Sequence, residues 1–93
     1  MPQNPTPRTL DHDVAHWLSH WAQVRPSALA WADDHRRCNY AEAEDRVARL
    51  AGWMSDQGIV VGDRIAVWLG NRGATLEAIF AAARLGAIAL PVN

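Results

Sequence analysis

Two short apolar stretches, separated by a segment of helical length, constrain the fold of this 93-residue chain more than any other feature. Residues 64–69 read RIAVWL, and residues 87–92 read AIALPV. Continuous apolarity is typical of strands that are covered on both faces, as in parallel sheets. Strand, helix and strand in this order predict a βαβ unit with parallel strands and a right-handed crossover.

The segment between these two strands has the pattern of an amphipathic helix. Asn71 is the candidate for its amino-terminal cap, and Gly86 is the candidate for its end. The apolar stripe that we expect to be buried is Leu76, Ile79, Phe80 and Ala83.

The amino-terminal part of the chain predicts an arm and a first helix. Residues 1–10 are broken by prolines and have no periodicity, so we expect a loose arm. Periodic apolar residues then predict a helix over about residues 12–24, with Pro26 just beyond its end. Its predicted buried face is Val14, Trp17, Leu18 and Trp21.

A hairpin and a second helix follow. Residues 27–32 and 37–40 have the pattern of two short strands joined by a turn, which indicates a hairpin. Asn39 and Glu42 have the spacing of a capping box, so we expect a helix over about residues 40–57. Its predicted buried stripe and terminating glycine are Ala43, Val47, Leu50, Ala51, Met54 and Gly58.

Together these elements predict an α/β fold class, as part of a layered α/β domain with a parallel βαβ unit and a small hairpin. Parallel sheets occur almost only inside layered structures that cover both faces. Two parallel strands and a hairpin are too few to build such layers, so we expect the fold to be incomplete on its own.

Composition excludes several classes of function. The formal net charge of −1 provides no basic field for nucleic acid or an anionic membrane. Every basic residue is an arginine, which excludes chemistry by a Schiff-base or phosphate-loop lysine within this chain. The single cysteine, Cys38, is expected to be an inert strand residue. We find no pattern of a signal peptide or a transmembrane segment, and we expect a cytoplasmic location.

Residues 70–73, GNRG, are a candidate phosphate loop because they join a strand to a helix. Neither the dinucleotide fingerprint nor the lysine-containing phosphate loop is complete there. A structural turn capped by Asn71 is therefore the favoured interpretation.

The histidines His12, His16 and His20 recur at every fourth position, so adjacent members could bind a transition metal. They lie opposite the predicted apolar face of the first helix, and no further ligand obviously completes a site. We expect a solvated polar face and no metal.

Aromatic and acidic residues give two further candidates, which we interpret structurally. Exposed tryptophans among arginines can stack on the bases of single-stranded nucleic acid. The net negative charge of the chain makes packing in the protein core the favoured interpretation, above all for the three tryptophans on predicted buried faces. The tryptophans are Trp17, Trp21, Trp31, Trp53 and Trp68, of which Trp17, Trp21 and Trp68 fall on predicted buried faces. The aspartates Asp33, Asp34 and Asp63 have the pattern of turn residues.

Two runs of sequence carry a resemblance to a known family. They are NYAEAEDRVARLAGWMSDQGIVVGDRIAVWLGN, residues 39–71, and ATLEAIFAAARLGAIALPVN, residues 74–93. The positions that match in order are Tyr40, Glu42, Leu50, Ala51, Gly58, Gly62, Asp63, Arg64, Asn71, Ala81, Ala82, Gly86, Ala87, Pro91 and Asn93. On these residues the chain resembles the amino-terminal part of the adenylate-forming, or AMP-binding, superfamily of acyl- and aryl-CoA synthetases, peptide-synthetase adenylation domains and luciferases.

The resemblance implies that residues 11–93 are the amino-terminal portion of the large domain of an AMP-forming ligase for a carboxylic acid, either fatty or aryl. The complete enzyme would use ATP, Mg²⁺ and CoA and would form an acyl-adenylate. The family's phosphate loop, substrate-binding residues and carboxy-terminal lysine all lie downstream of the matched region. We therefore expect no catalytic, cofactor-binding or metal-binding residue in this chain, and we expect the chain alone to be inactive.

The partners implied by the resemblance are the remainder of the synthetase domain and, for the complete enzyme, a carboxylic acid substrate. The alternative is a stand-alone protein-interaction or regulatory module derived from that fold. Such a module would use exposed apolar strands to pair with another chain.

Overall fold

The computed structural model describes residues 10–68, 70 and 72–92, and for residues 10–14 the backbone alone. The predicted arm at residues 1–10 lies outside the described residues except for Leu10, and so do Asn71, Asn93 and the side chains of His12 and Val14. The elements in chain order are α1 Leu10–Val24, β1 Leu29–Ala32, β2 Arg37–Asn39, α2 Tyr40–Asp56, β3 Arg64–Trp68, α3 Arg72–Leu85 and β4 Ile88–Val92.

Helix α1 is an amphipathic helix whose described buried anchor is Leu18, which has no exposed surface. It begins two residues earlier than predicted and ends before Pro26, which cannot continue a helix. Trp17 and Trp21 flank Leu18 without becoming fully buried, and Trp17 is 43% exposed. The predicted apolar face is therefore confirmed at Leu18 and wrong for the full burial of Trp17.

The hairpin of β1 and β2 is antiparallel, as predicted, and is closed by a turn that Asp33 stabilises. The Asp33 Oδ1 atom accepts the backbone N–H groups of His35 at 2.8 Å and of Arg36 at 2.9 Å. A carboxylate that accepts bonds from residues a few positions ahead is the usual way in which Asp initiates a turn.

Helix α2 begins with the predicted capping box. The Glu42 N–H donates to Asn39 Oδ1 at 2.8 Å, and the Asn39 N–H donates to Glu42 Oε1 at 2.9 Å. The helix is followed by Gly58 with φ of +93°, a left-handed conformation that favours glycine. Four members of the predicted stripe are buried and Leu50 packs at their edge; the four are Ala43, Val47, Ala51 and Met54.

The carboxy-terminal part is the predicted βαβ unit, with β3 and β4 paired in parallel from Arg64 opposite Ile88 to Trp68 opposite Val92. Helix α3 ends in a Schellman motif. Gly86 has φ of +70°, and its N–H donates to the carbonyl of Ala83, while the Ala87 N–H donates to the carbonyl of Ala82.

The core lies where the three described helices meet the sheets, and it consists largely of small side chains. Its buried members are Leu18, Cys38, Ala43, Val47, Ala51, Met54, Ala81, Ala82 and Ala87. Small residues allow helices to approach closely, so α3 contacts both α1 and α2.

The predicted stripe of α3 is only partly correct. Ala83 is buried, Ile79 and Phe80 are half-buried, and Leu76 is 36% exposed. The most enclosed face of α3 instead carries Gly73, Glu77, Ala81, Ala82 and Ala83. The predicted burial is wrong at Leu76, because the helix packs through its small residues and its longer side chains lie at the margins of the core.

One face of the β3–β4 sheet remains exposed. Side chains alternate between faces, so Ile65, Val67 and Ala89 turn towards α3 and the core. The opposite face carries the exposed apolar residues Ala66, Trp68, Ile88, Leu90 and Val92. Trp68 is 69% exposed, so its predicted burial is wrong for this chain, because the described residues provide a layer on one side of the sheet only.

Candidate functional site

The carboxyl end of β3 is the natural place to look for a site, because open α/β sheets bind ligands beyond the carboxyl ends of their strands. An open pocket of about 340 Å³ lies there. It is lined by Asp33, Asp34 and His35 from the hairpin turn and by Gly70 and Arg72 from the start of α3. The fold thus brings together the GNRG loop and two of the predicted turn aspartates.

The Asp33 side chain caps the amino terminus of α3. Its Oδ2 atom accepts the N–H of Gly73 at 3.1 Å, across 40 positions of sequence, while Oδ1 stays bonded within the hairpin turn. The hydrogen bond from the His35 N–H is the main cause that lowers the pKa of Asp33, and those from Arg36 and Gly73 act in the same direction.

A carboxylate at this position argues against a phosphate cradle in the GNRG loop. The N–H groups at a helix amino terminus attract one anion, and here Asp33 is that anion. A bound phosphate would have to lie beside a second negative charge. The interpretation of the loop as a structural turn is therefore favoured. Among the described residues it is Asp33 of the hairpin that caps the helix. The predicted cap, Asn71, lies outside the described residues.

The lowered pKa of Asp33 predicts how the stability of the fold depends on pH. Because the folded chain holds this proton more weakly than the unfolded chain does, Asp33 contributes stability above its unfolded pKa of about 3.9. That contribution is lost as pH falls through the lowered folded pKa. Urea unfolding of wild type and Asp33→Asn from pH 7 to pH 3 should show a smaller loss of stability in the variant. Asp34→Asn, an exposed neighbour, should retain the wild-type dependence.

A second polar cluster is centred on Glu77, which is 7% exposed. Arg46 of α2 donates to it through Nε at 2.6 Å and Nη2 at 3.2 Å, and Arg36 of the hairpin lies 3.7 Å away. The side-chain hydrogen bonding to Glu77 raises the pKa of Arg46. This cluster ties the hairpin and α2 to α3.

A third cluster ties the three helices together. Arg84 of α3 donates to both carboxylate oxygens of Glu44, through Nη1 at 2.7 Å and through Nη2, and also to Ser19 Oγ of α1 at 3.2 Å. The Glu77 and Arg84 clusters thus hold helices and the hairpin in place. Neither leaves a base beside a nucleophile, which acid–base or covalent catalysis needs.

The remaining candidates lie apart from each other. His16 and His20 are exposed on α1, and within the described ranges no three His, Cys, Asp or Glu side chains come close enough to hold a metal ion. Cys38 is 2% exposed in β2, and burial raises the pKa of its thiol, so it stays protonated and unreactive. Asp63 accepts the Val60 N–H at 2.8 Å, as a turn residue does.

Three of the five tryptophans pack on other aromatic rings, and a fourth is exposed. Trp17 stacks on Phe80 with ring centroids 5.9 Å apart, Trp31 stacks on the same ring at 5.8 Å, and Trp21 lies 6.1 Å from Tyr40. These three rings pack on other aromatic rings, although Trp21 and Trp31 are only half-buried and Trp17 is exposed. Trp53, 59% exposed, lies on the outer side of α2.

The chain has no lysine, the helix terminus at the strand end already holds a carboxylate, and the part of the chain in view has no cluster of metal ligands. No helix among the described residues has the length and apolarity needed to cross a membrane.

The fold defines a class, that of layered α/β domains with a βαβ unit beside an antiparallel hairpin. A family model described as AMP-binding enzyme matches residues 18–93, and the chain belongs to that family.

Relatives of this chain include ligases and synthetases. The chain is 32% identical over 81 residues to a 3-oxocholest-4-en-26-oate–CoA ligase of Rhodococcus rhodochrous, which covers 87% of the chain and 15% of the relative. It is 38% identical over 80 residues to a feruloyl-CoA synthase of an Amycolatopsis species, covering 86% of the chain and 16% of the relative. The chain therefore spans about a sixth of the length of these relatives.

Solved structures agree with this placement. The chain superposes on the amino-terminal domain of FACL13 from Mycobacterium tuberculosis with a TM-score of 0.80 and 30% identity, over 86% of this chain and 21% of that one. It superposes on VinN in complex with L-aspartate with a TM-score of 0.81 and 27% identity, over 91% and 23%.

Proposed function

We propose that this chain is the amino-terminal scaffold of an AMP-forming ligase that joins a fatty or aryl carboxylic acid to CoA through an acyl-adenylate. The family match over residues 18–93 carries the proposal. The names of the relatives support a carboxylic acid and CoA as substrates, since two of them are a steroid-acid CoA ligase and a feruloyl-CoA synthase.

The role of the chain in this proposal is structural. In this proposal ATP, Mg²⁺ and CoA would bind residues of the domain that lie outside this chain. The absence of lysine from the chain, and of a cluster of metal-ligating side chains among the described residues, supports it. The chain would supply two parallel strands to a larger sheet, and the remainder of the domain would cover the exposed face of β3 and β4. The unpaired thiol of Cys38 supports a reducing compartment, and we propose the cytoplasm.

The exposed sheet face supports this role physically. Trp68, Ile88, Leu90 and Val92 are each at least 38% exposed, yet they lie side by side on one face of paired strands. A contiguous apolar patch of this kind usually marks a surface that another element covers. Parallel strands in particular are normally covered on both faces.

ATP–pyrophosphate exchange with a panel of fatty and aryl acids tests the proposal. The 93-residue chain should show no exchange, whereas a polypeptide that continues in frame past Asn93 through the rest of a synthetase domain should show it. Exchange by the 93-residue chain alone would contradict a scaffold role. A source gene that encodes no phosphate loop and no lysine after Asn93 would contradict the ligase itself.

The exposed face also favours a second candidate, an interaction module that pairs with another chain through β3 and β4. The two candidates differ in what Leu90→Lys does. In a complete ligase the substitution should abolish soluble expression, while in an interaction module it should convert a defined complex into a monomer, as light scattering would show. Val61→Lys, at a residue 80% exposed outside both strands, is the matched control and should change neither.

A further inference from the structure

Four arginines converge on one open pocket of about 370 Å³ between the hairpin and α2. Arg36 and Arg37 come from the hairpin, and Arg46 and Arg49 come from α2. Within this pocket four positive side chains face two negative ones, Glu42 and Asp45. With Glu77, which pairs with Arg46, four positive side chains stand against three negative ones, a surplus of one positive charge, whereas the whole chain has a net charge of −1.

The acidic neighbours of these arginines are already engaged. Glu42 accepts the Asn39 N–H in the capping box, and Asp45 pairs with Arg49 on the exposed face of α2. Glu77 lies buried behind Arg46. Of the four arginines, Arg37 forms no ion pair with any described residue.

The arginines also keep many unused hydrogen-bond donors. Arg46 bonds to Glu77 through Nε and Nη2, so among the described residues its Nη1 group is without an acceptor. Arg36 lies 3.7 Å from Glu77, beyond hydrogen-bond distance, with half of its side chain exposed. Planar guanidinium groups with free N–H donors match the oxygens of carboxylate and phosphate groups. Where several arginines face one anion, Coulomb attraction favours the anion of higher charge, which is a phosphate.

We infer that this pocket, which we call the arginine pocket (Arg36, Arg37, Arg46 and Arg49), binds a multiply charged phosphate group. The buried Glu77 holds Arg46 in place from behind, so part of the site is ordered before the anion arrives. The pocket lies on β2 and α2, whereas at the strand-end pocket the Asp33 carboxylate already accepts the N–H of Gly73 at the helix amino terminus. The inference does not depend on the ligase activity proposed above.

Calorimetric titration of the chain with sodium tripolyphosphate tests the inference. We expect saturable binding that weakens steeply between about 50 and 200 mM salt, because bound phosphate displaces counterions and its charge is screened. The double variant Arg37→Gln/Arg49→Gln should lose at least about tenfold in affinity, since it removes two charged donors from exposed positions. Arg25→Gln/Arg64→Gln makes the same change in charge at exposed positions outside the pocket and should bind as wild type does.

Sedimentation with vesicles separates a soluble phosphate from a lipid headgroup. Binding of tripolyphosphate without binding to phosphatidic acid vesicles, whose headgroup is a phosphomonoester, would assign a soluble ligand, and the reverse would assign a headgroup. Either result supports a phosphate site if the Arg37/Arg49 variant loses the interaction. Absence of binding to both probes would overturn the inference. Equal losses in the Arg37/Arg49 and Arg25/Arg64 variants would also overturn it, because they would show only non-specific attraction.

Discussion

Leu18→Ala should lower the free energy of unfolding by about 3 kcal/mol, which is the largest effect that we expect from a single substitution in this chain. Leu18 is the largest fully buried side chain described and lies in the core among α1, α2 and α3. The loss has two parts, the transfer of the leucine side chain into water and the cavity that remains among neighbours that relax only in part.

Small neighbours make this cavity hard to close. Much of the surrounding core is alanine, and alanine side chains have no rotamers that could turn into the space. Helix propensity does not contribute to the loss, because alanine is the best helix former. For a chain of this size the change corresponds to a fall in Tm of about 12–24 °C.

Urea unfolding followed by circular dichroism measures this effect, with Leu76→Ala as its control. Leu76 is also a helical leucine, but it is 36% exposed, so its truncation should cost about 1 kcal/mol or less. Equal losses in the two variants would show that the helices do not meet at Leu18 as described.

The local elements of this fold could be predicted from the sequence because their signals lie within a few residues of each other. The capping box of Asn39 and Glu42, the glycines after α2 and α3, and the strand–helix–strand order are all of this kind, and each is confirmed. The family resemblance is confirmed as well by the match over residues 18–93.

What could not be predicted depends on partners distant in sequence. Asp33 has the pattern of a turn residue, and it is one, but its second oxygen caps a helix 40 positions away. Glu77 lies on a helix whose sequence is largely apolar. Its burial is compensated by the hydrogen-bonded pair with Arg46, which lies 31 positions earlier in the sequence. The predicted burial of Trp68 is wrong for a different reason. Its strand has the composition of a strand in a sheet that is covered on both faces, whereas the described residues cover only one face of this sheet.

Glu77→Ala should lower the free energy of unfolding by about 2 kcal/mol. The substitution removes a buried carboxylate with two hydrogen bonds and leaves the Arg46 guanidinium without its partner. Breaking a fully buried pair costs about 3–5 kcal/mol. The Arg46 side chain is 37% exposed, so it can turn partly towards water, and we place the expected loss below that range.

Glu77→Gln separates charge from shape in this cluster. Glutamine keeps the volume and one acceptor for Arg46 but removes the negative charge, so it should cost less than Glu77→Ala, about 1 kcal/mol. The control is Arg49→Ala, which breaks a pair whose side chains are 73% and 61% exposed and should cost no more than about 0.5 kcal/mol.

A double-mutant cycle with Arg46→Ala determines whether the cost of Glu77→Ala belongs to the pair. If the two groups act through each other, removing both should cost much less than the sum of the single losses. Additive losses would place the contribution of Glu77 elsewhere, in its packing on α3. A coupled result would establish that an ion pair, which local sequence patterns do not reveal, fixes α2 against helix α3 of the βαβ unit.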